Sequence, residues 1–179
     1  MVYVMLGTGF EEIEALAPVD LMRRAGIEVL TVGLTDRLVY GGRGIGVQAD
    51  ITVDEMDLSD LEMIVLPGGL GGVASIRASR QTLDAVTYAY ENDCFVAAIC
   101  AGPTVLADLG ITEGKHATCF PGQVGNMKNA SLEEKAFVRD GKIITGASAG
   151  CAVEFGLALI EALRGAEASE LIRKQIVIR

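Results

Sequence analysis

One thiol sits where the sequence changes abruptly from strand to helix, in Ala98-Ile99-Cys100-Ala101-Gly102-Pro103. A cysteine at such a turn is displayed beyond the end of its strand. Its sulfur can act as a nucleophile there, and the amide of the next residue, Ala101, can donate to whatever the sulfur attacks or carries. The run Phe95, Val96, Ala97, Ala98, Ile99 has the length and apolarity of a strand buried on both faces. That strand must stop near Cys100, because Gly102 relaxes the backbone and Pro103 supplies a fixed φ without an N–H. Both suit the first turn of a helix over Thr104 to Leu109. A packed core cysteine is the structural alternative, since free Cys is among the most buried residue types; the turn context points to function.

Two further groups could complete the chemistry. Of the carboxylates in the first helix, Glu14 falls on the side of Phe10, Ala17 and Leu21, whereas Glu11 and Glu12 suit a solvated acidic first turn. An inward Glu14 has a raised pKa and can stay protonated, able to donate to a thiolate that an ionised carboxylate would oppose. Pro18 cannot donate to the carbonyl of Glu14, which predicts a kink or opening there. Pro67-Gly68-Gly69 closes another buried run with unhindered amides, so Gly69 and Ala101 could together form an oxyanion hole. A Gly-Gly turn alone is usually only a turn, and this one gains weight from its position beside Cys100. No spacing matches a P-loop or a dinucleotide fingerprint.

The surrounding composition narrows the choice of chemistry. Four cysteines (Cys94, Cys100, Cys119, Cys151) lie at irregular spacings without a CxxC pair, and His116 is the single histidine, so no metal site is expected. In a reducing compartment these thiols stay free, and oxidation would be chemistry rather than architecture. With 24 acidic against 15 basic residues the net charge is −9, which repels phosphate backbones and anionic membranes. Neither a membrane-length apolar run nor a secretory n-region is present, and a cytoplasmic location is expected. The length of 179 residues suits one domain, residues 1–179, with an aliphatic core.

The elements that must hold these groups alternate. Val2 to Leu6 reads as a strand, and Thr8-Gly9-Phe10-Glu11 carries a capping-box pattern before a helix running toward Gly26. Ile27 to Val32 is a second strand, and Leu38 to Val53 has the content of a hairpin or excursion. Met63 to Leu66 is a strand, Thr82 to Asn92 a helix, and Lys115 to Thr118 and Ile143 to Thr145 short strands. Val153, Leu157, Ile160 and Leu163 mark a final long helix. This order predicts an α/β fold, a mostly parallel sheet with helices on both faces. Its ligand crevice lies beyond the carboxyl ends of the strands. The segments Thr8 to Glu14, Pro67 to Gly72, Cys100 to Pro103, Cys119 to Gly122 and Ala147 to Cys151 are expected to converge there.

Gly9-Phe10-Glu11-Glu12-Ile13-Glu14, Leu66-Pro67-Gly68-Gly69, Ala97-Ala98-Ile99-Cys100-Ala101-Gly102-Pro103 and Thr118-Cys119-Phe120-Pro121-Gly122 occur in this order. With them the chain resembles the ThiJ/PfpI superfamily, and within it the Parkinson-disease-protein branch of deglycase and glyoxalase type. The resemblance extends over essentially the whole length. It implies a flavodoxin-like three-layer sandwich, like that of class I glutamine amidotransferases, assembled as a homodimer. It further implies Cys100 as reactive nucleophile and oxidation sensor, Glu14 as its protonated partner, Gly69 and Ala101 as backbone donors, and no organic cofactor. Many members place a histidine after the cysteine or before the proline of the later motif. Here those positions are Ala101 and Phe120, and His116 lies within a strand, which argues against a conventional Cys-His hydrolase or protease. Cys119 in the same motif is either a resolving thiol for Cys100 or a small residue filling a strand end.

Three functions are compatible with the resemblance. Cys100 could add to an α-oxoaldehyde such as methylglyoxal, or to its early adduct on a protein or nucleotide, and release a hydroxy acid. Alternatively, Cys100 could be the oxidised group of a redox sensor or redox-regulated chaperone, with Glu14 donating to the new oxygens. The family name also carries a role in thiazole monophosphate biosynthesis, for which no residue of this chain argues.

Overall fold

The computed structural model describes residues 1–178. Its elements are β1 (Val2–Leu6), α1 (Glu12–Arg24), β2 (Val29–Gly33), β3 (Leu38–Tyr40), β4 (Gly46–Gln48), β5 (Ile51–Thr52), β6 (Met63–Leu66), α2 (Leu70–Ala78), α3 (Arg80–Glu91) and β7 (Phe95–Ile99). The chain continues through α4 (Pro103–Asp108), β8 (His116–Ala117), β9 (Ser131–Leu132), β10 (Phe137–Asp140), β11 (Ile143–Gly146), α5 (Ala152–Arg164) and α6 (Ala166–Gln175). A seven-stranded sheet has the order β10-β11-β7-β6-β1-β2-β5, parallel except for the β10–β11 pair. This is the flavodoxin-like three-layer α/β fold expected from the alternation of elements.

Strand residues alternate between the two faces of the sheet, and each face has its own core. On one face Val2, Val4, Leu6, Val65, Ala97 and Ile99 pack against α1 and α5; on the other Tyr3, Met5, Ile64, Leu66, Val96 and Ala98 pack against α2, α3 and α4. The all-apolar central strands follow from this two-sided burial. Register brings the functional turns to one edge: Leu66 lies opposite Ala98, and Ile99 opposite Gly146, so the segments after β6, β7 and β11 emerge side by side.

Several expectations change. The cap of α1 is Glu11, whose carboxylate accepts from Glu14 N at 2.8 Å, rather than Thr8; Thr8 lies in the preceding turn. The helix continues through Pro18 without a break. Gly156 of α5 packs against this point, and a Cβ there would come 3.1 Å from Pro18 Cα. The final helix is two, α5 and α6, separated at Gly165 with φ +88°. The strand expected over Lys115 to Thr118 is only β8, paired with β9 outside the main sheet. Helix α2 follows Gly69 directly, hidden from a sequence reading by its glycines and its low apolar periodicity. Among the described residues no helix is long and apolar enough to cross a membrane.

Candidate active site

Cys100 itself carries the strain of the turn, with φ +64°, a conformation that costs a non-glycine residue energy unless its surroundings enforce it. The enforcement is visible on both sides of the residue. Cys100 N donates to Gly146 O at 2.9 Å, and Phe120 N donates to Cys100 O at 2.8 Å. Gly102, expected to relax the turn, is already helical at φ −53°, and its lack of a side chain serves packing: a Cβ would come 2.5 Å from Leu66 O. Pro103 then opens α4 as anticipated.

Glu14 is 1% exposed and faces this thiol. Its Oε2 accepts from Gly68 N at 2.9 Å, it hydrogen-bonds Cys100, and the Ala149 amide reaches it from the turn before α5. A side chain at Gly68 would collide with Glu14 Oε2 and approach Cys100 Cβ to 2.8 Å, so only glycine lets carboxylate and thiol meet. Burial pushes Glu14 up to about 7, assisted by the charge of Glu11 and opposed by its hydrogen bonds to Cys100, Gly68 and Ala149. Burial likewise pushes the Cys100 thiol up to about 12, and an ionised Glu14 raises it further, while the Ala101 and Gly69 amides favour the thiolate. Once the pH has risen through about 7 the two groups therefore hold one proton between them, and moving it from sulfur to carboxylate removes the carboxylate charge that opposes the thiolate.

Gly69 is the N-cap of α2 with φ +82°, and a side chain there would strike Gly9 O and Glu11 N. The Gly69 amide, like that of Ala101, hydrogen-bonds the Cys100 sulfur. The cleft above Cys100 has a volume of about 540 Å³ and is lined by Gly69, Leu70, Ala101, Phe120, Glu12 and Arg43, among others.

Sequence reasoning missed part of this wall. Gly42 and Arg43 enter it from the β3–β4 turn, where Gly42 N donates to Phe10 O and Arg43 N to Glu12 Oε1, both at 2.7 Å. The signal was the glycine-flanked arginine in Gly41-Gly42-Arg43-Gly44. Glu12, expected in solvent, is only 5% exposed, and its Oε2 is buried without a partner. Cys119 does not line this cleft. It is buried, donates to Phe120 O at 3.4 Å, and borders a neighbouring cavity of about 620 Å³ together with Cys151. His116 lies outside the cleft, with Nδ1 2.9 Å from Glu133 Oε1. Among the described residues no cluster of side chains could hold a metal ion.

A flavodoxin-type sheet that presents a strained cysteine to a buried carboxylate and two backbone amides defines a class of thiol-bearing α/β proteins. The DJ-1/PfpI family model matches residues 1–162, and the chain belongs to that family. It is 34% identical to protein dj-1beta of Drosophila melanogaster over 178 residues, covering 98% of this chain and 95% of that protein. It is 32% identical to the Parkinson disease protein 7 homolog of Danio rerio, covering 98% and 96% of the two chains. The crystal structure of Drosophila DJ-1beta superposes with a TM-score of 0.95, covering 99% and 97% of the two chains. Oxidized DJ-1 of Toxoplasma gondii, 30% identical, gives 0.93, covering 98% and 97%.

Proposed function

We propose that the protein is a cysteine-dependent enzyme of the carbonyl and oxidative stress response, in which Cys100 processes α-oxoaldehydes such as methylglyoxal or their early adducts on proteins or nucleotides. Family membership supports a stress-response role of the DJ-1 kind. The observation that carries the finer reading is the buried Glu14 carboxyl, hydrogen-bonded to Cys100 and held by Gly68 N, beneath an open cleft.

With that proton on Glu14, the Cys100 thiolate attacks the aldehyde carbon and forms a C–S bond. The carbonyl electron pair moves to oxygen, where the Gly69 and Ala101 amides face it and Glu14 protonates it to give the hemithioacetal. The Glu14 carboxylate then takes the proton from the former aldehyde carbon and returns it to the neighbouring carbon, while the hemithioacetal hydroxyl proton passes to the neighbouring carbonyl oxygen; the result is a 2-hydroxy thioester. Water cleaves the thioester, restoring the thiol and releasing the 2-hydroxy acid, so methylglyoxal plus water gives lactate. No organic cofactor or metal takes part in this sequence.

The same atoms support a second reading, a redox sensor or chaperone. Peroxide converts the thiol to sulfenic acid and water, and a second equivalent gives sulfinic acid; the donors around sulfur suit the new oxygens. The relative from Toxoplasma gondii was solved in an oxidized state. We also propose that a second copy of the chain covers exposed Ile13, Leu38, Tyr40 and Ile45, which project from α1 and the β3–β4 hairpin.

Exposure to methylglyoxal, and separately to about one equivalent of peroxide, tests both readings in wild type and Cys100→Ala. Lactate from wild type, reduced about a thousandfold or more in the variant, supports the enzyme. No lactate, with a stable added-oxygen mass on Cys100, would replace it with the sensor.

A further inference from the structure

Two large apolar side chains line the cleft that holds Cys100, although both stand open to solvent. Leu70 is 73% exposed and follows Gly69, one of the two amides that face the sulfur. Phe120 is 44% exposed, and its own amide bonds to Cys100 O at 2.8 Å, which ties the aromatic residue to the backbone of the nucleophile. The Phe120 ring lies over Gly122, where a Cβ would approach ring carbon Cε1 to 3.1 Å, so the missing side chain at 122 gives the ring its seat. Both residues line the same cleft as Cys100. A phenylalanine can neither give nor take a proton, so its contribution beside the thiol is contact area. The volume of about 540 Å³ is in the range that encloses a drug-sized ligand and far exceeds what a three-carbon aldehyde fills.

We propose that Leu70 and Phe120 form the walls of a subsite for an apolar, aromatic substituent on the carbonyl carbon next to the atom that Cys100 attacks. The preferred substrates are then aryl-substituted α-oxoaldehydes rather than methylglyoxal. This inference rests on the carbonyl-processing reading and names its substrate class. When the thiolate bonds to the aldehyde carbon, the adjacent ketone carries the substituent outward, between the residue beyond Gly69 and the residue bonded to Cys100 O. An aryl ring there replaces water on Leu70 and stacks on or against Phe120, a gain a methyl group cannot match. The chemistry balances as for the methyl compound: phenylglyoxal plus water gives mandelate.

The test separates this subsite from turnover. Phenacyl bromide and bromoacetone present phenyl and methyl on the same ketone. Each alkylates Cys100 once, forming an S–C bond as bromide leaves and the thiol proton passes to solvent. Second-order labelling rates at Cys100 are measured by intact mass and divided by the rates of a free small thiol. The expected phenyl-to-methyl preference is roughly tenfold for wild type, falling below about threefold in Phe120→Ala and in Leu70→Ala. The ratio of kcat/KM for phenylglyoxal over methylglyoxal should fall in parallel. A wild-type labelling ratio equal to that of the free thiol, or one unchanged by both substitutions, overturns the subsite. So does a ratio that collapses as rising protein concentration lets a second copy cover the two residues. A labelling preference that follows the substitutions, with no hydroxy acid formed from either aldehyde, upholds the subsite and rejects the enzyme reading instead.

Discussion

At the scale of single residues the site is a problem in where one proton resides. Glu14 is held up to about 7 chiefly by burial, against an ordinary value of 4.5, so the folded protein binds a proton that the unfolded chain releases between these values. The stability contributed by protonated Glu14 is complete below pH 4.5 and is lost as pH rises through 7, by up to about 3 kcal/mol. Cys100, raised by burial from 9.0 to about 12, extends the same trend into alkali, where the unfolded chain ionises first. Urea denaturation from pH 4.5 to 8 should therefore show wild type losing stability more steeply than Glu14→Gln, whose amide keeps an acceptor for Gly68 N. Parallel curves would mean that the carboxylate titrates normally. The inward placement and raised pKa of Glu14 were legible because a carboxylate on the apolar side of an amphipathic helix has few alternatives. The burial of Glu12 was not, because it depends on the β3–β4 turn closing over it from distant sequence.

At the scale of elements the site depends on backbone approach, which no side-chain pattern encodes. The turn after β6, the start of α1 and the start of α2 lie so close that Gly69 has no room for a Cβ, and its φ of +82° disfavours one independently. Gly69→Ala should destabilise the fold by roughly 3 kcal/mol and slow Cys100 alkylation, as read by urea denaturation and labelling. Gly125→Ala meets no atom within 4 Å and should stay within about 0.5 kcal/mol of wild type. Equal effects of the two substitutions would contradict the packing described for the cleft. The central strands were legible because two-sided burial makes them apolar throughout. Helix α2, with Gly71 and Gly72 in its first turn, carries no such signature, and the separation of α5 from α6 rests on the conformation of Gly165 alone. Cys119 and Cys100 share a sequence neighbourhood through the Phe120–Cys100 hydrogen bond yet border different cavities, a distinction of side-chain direction that spacing cannot supply.

At the scale of the whole molecule the cleft meets the surface proposed to join two copies. Gly9 N donates to Tyr40 O at 2.8 Å, which links the hairpin to the loop beneath the cleft, so contact at Tyr40 and Ile45 would brace the wall that carries Arg43. Light scattering should give wild type twice the mass of a Tyr40→Asp, Ile45→Asp variant; identical masses would place the assembly elsewhere or exclude it. Because each copy carries a charge of −9, association should strengthen as salt screens the repulsion. The central claim, that Glu14 and Cys100 act as one acid–base unit, is tested most directly by the pH dependence of Cys100 alkylation in wild type and Glu14→Gln. The account predicts a wild-type rate that rises through pH 7 to a plateau, as the pair loses its first proton, and a variant without that inflection. A wild-type rate that shows no inflection near 7, or one that Glu14→Gln leaves unchanged, would contradict it.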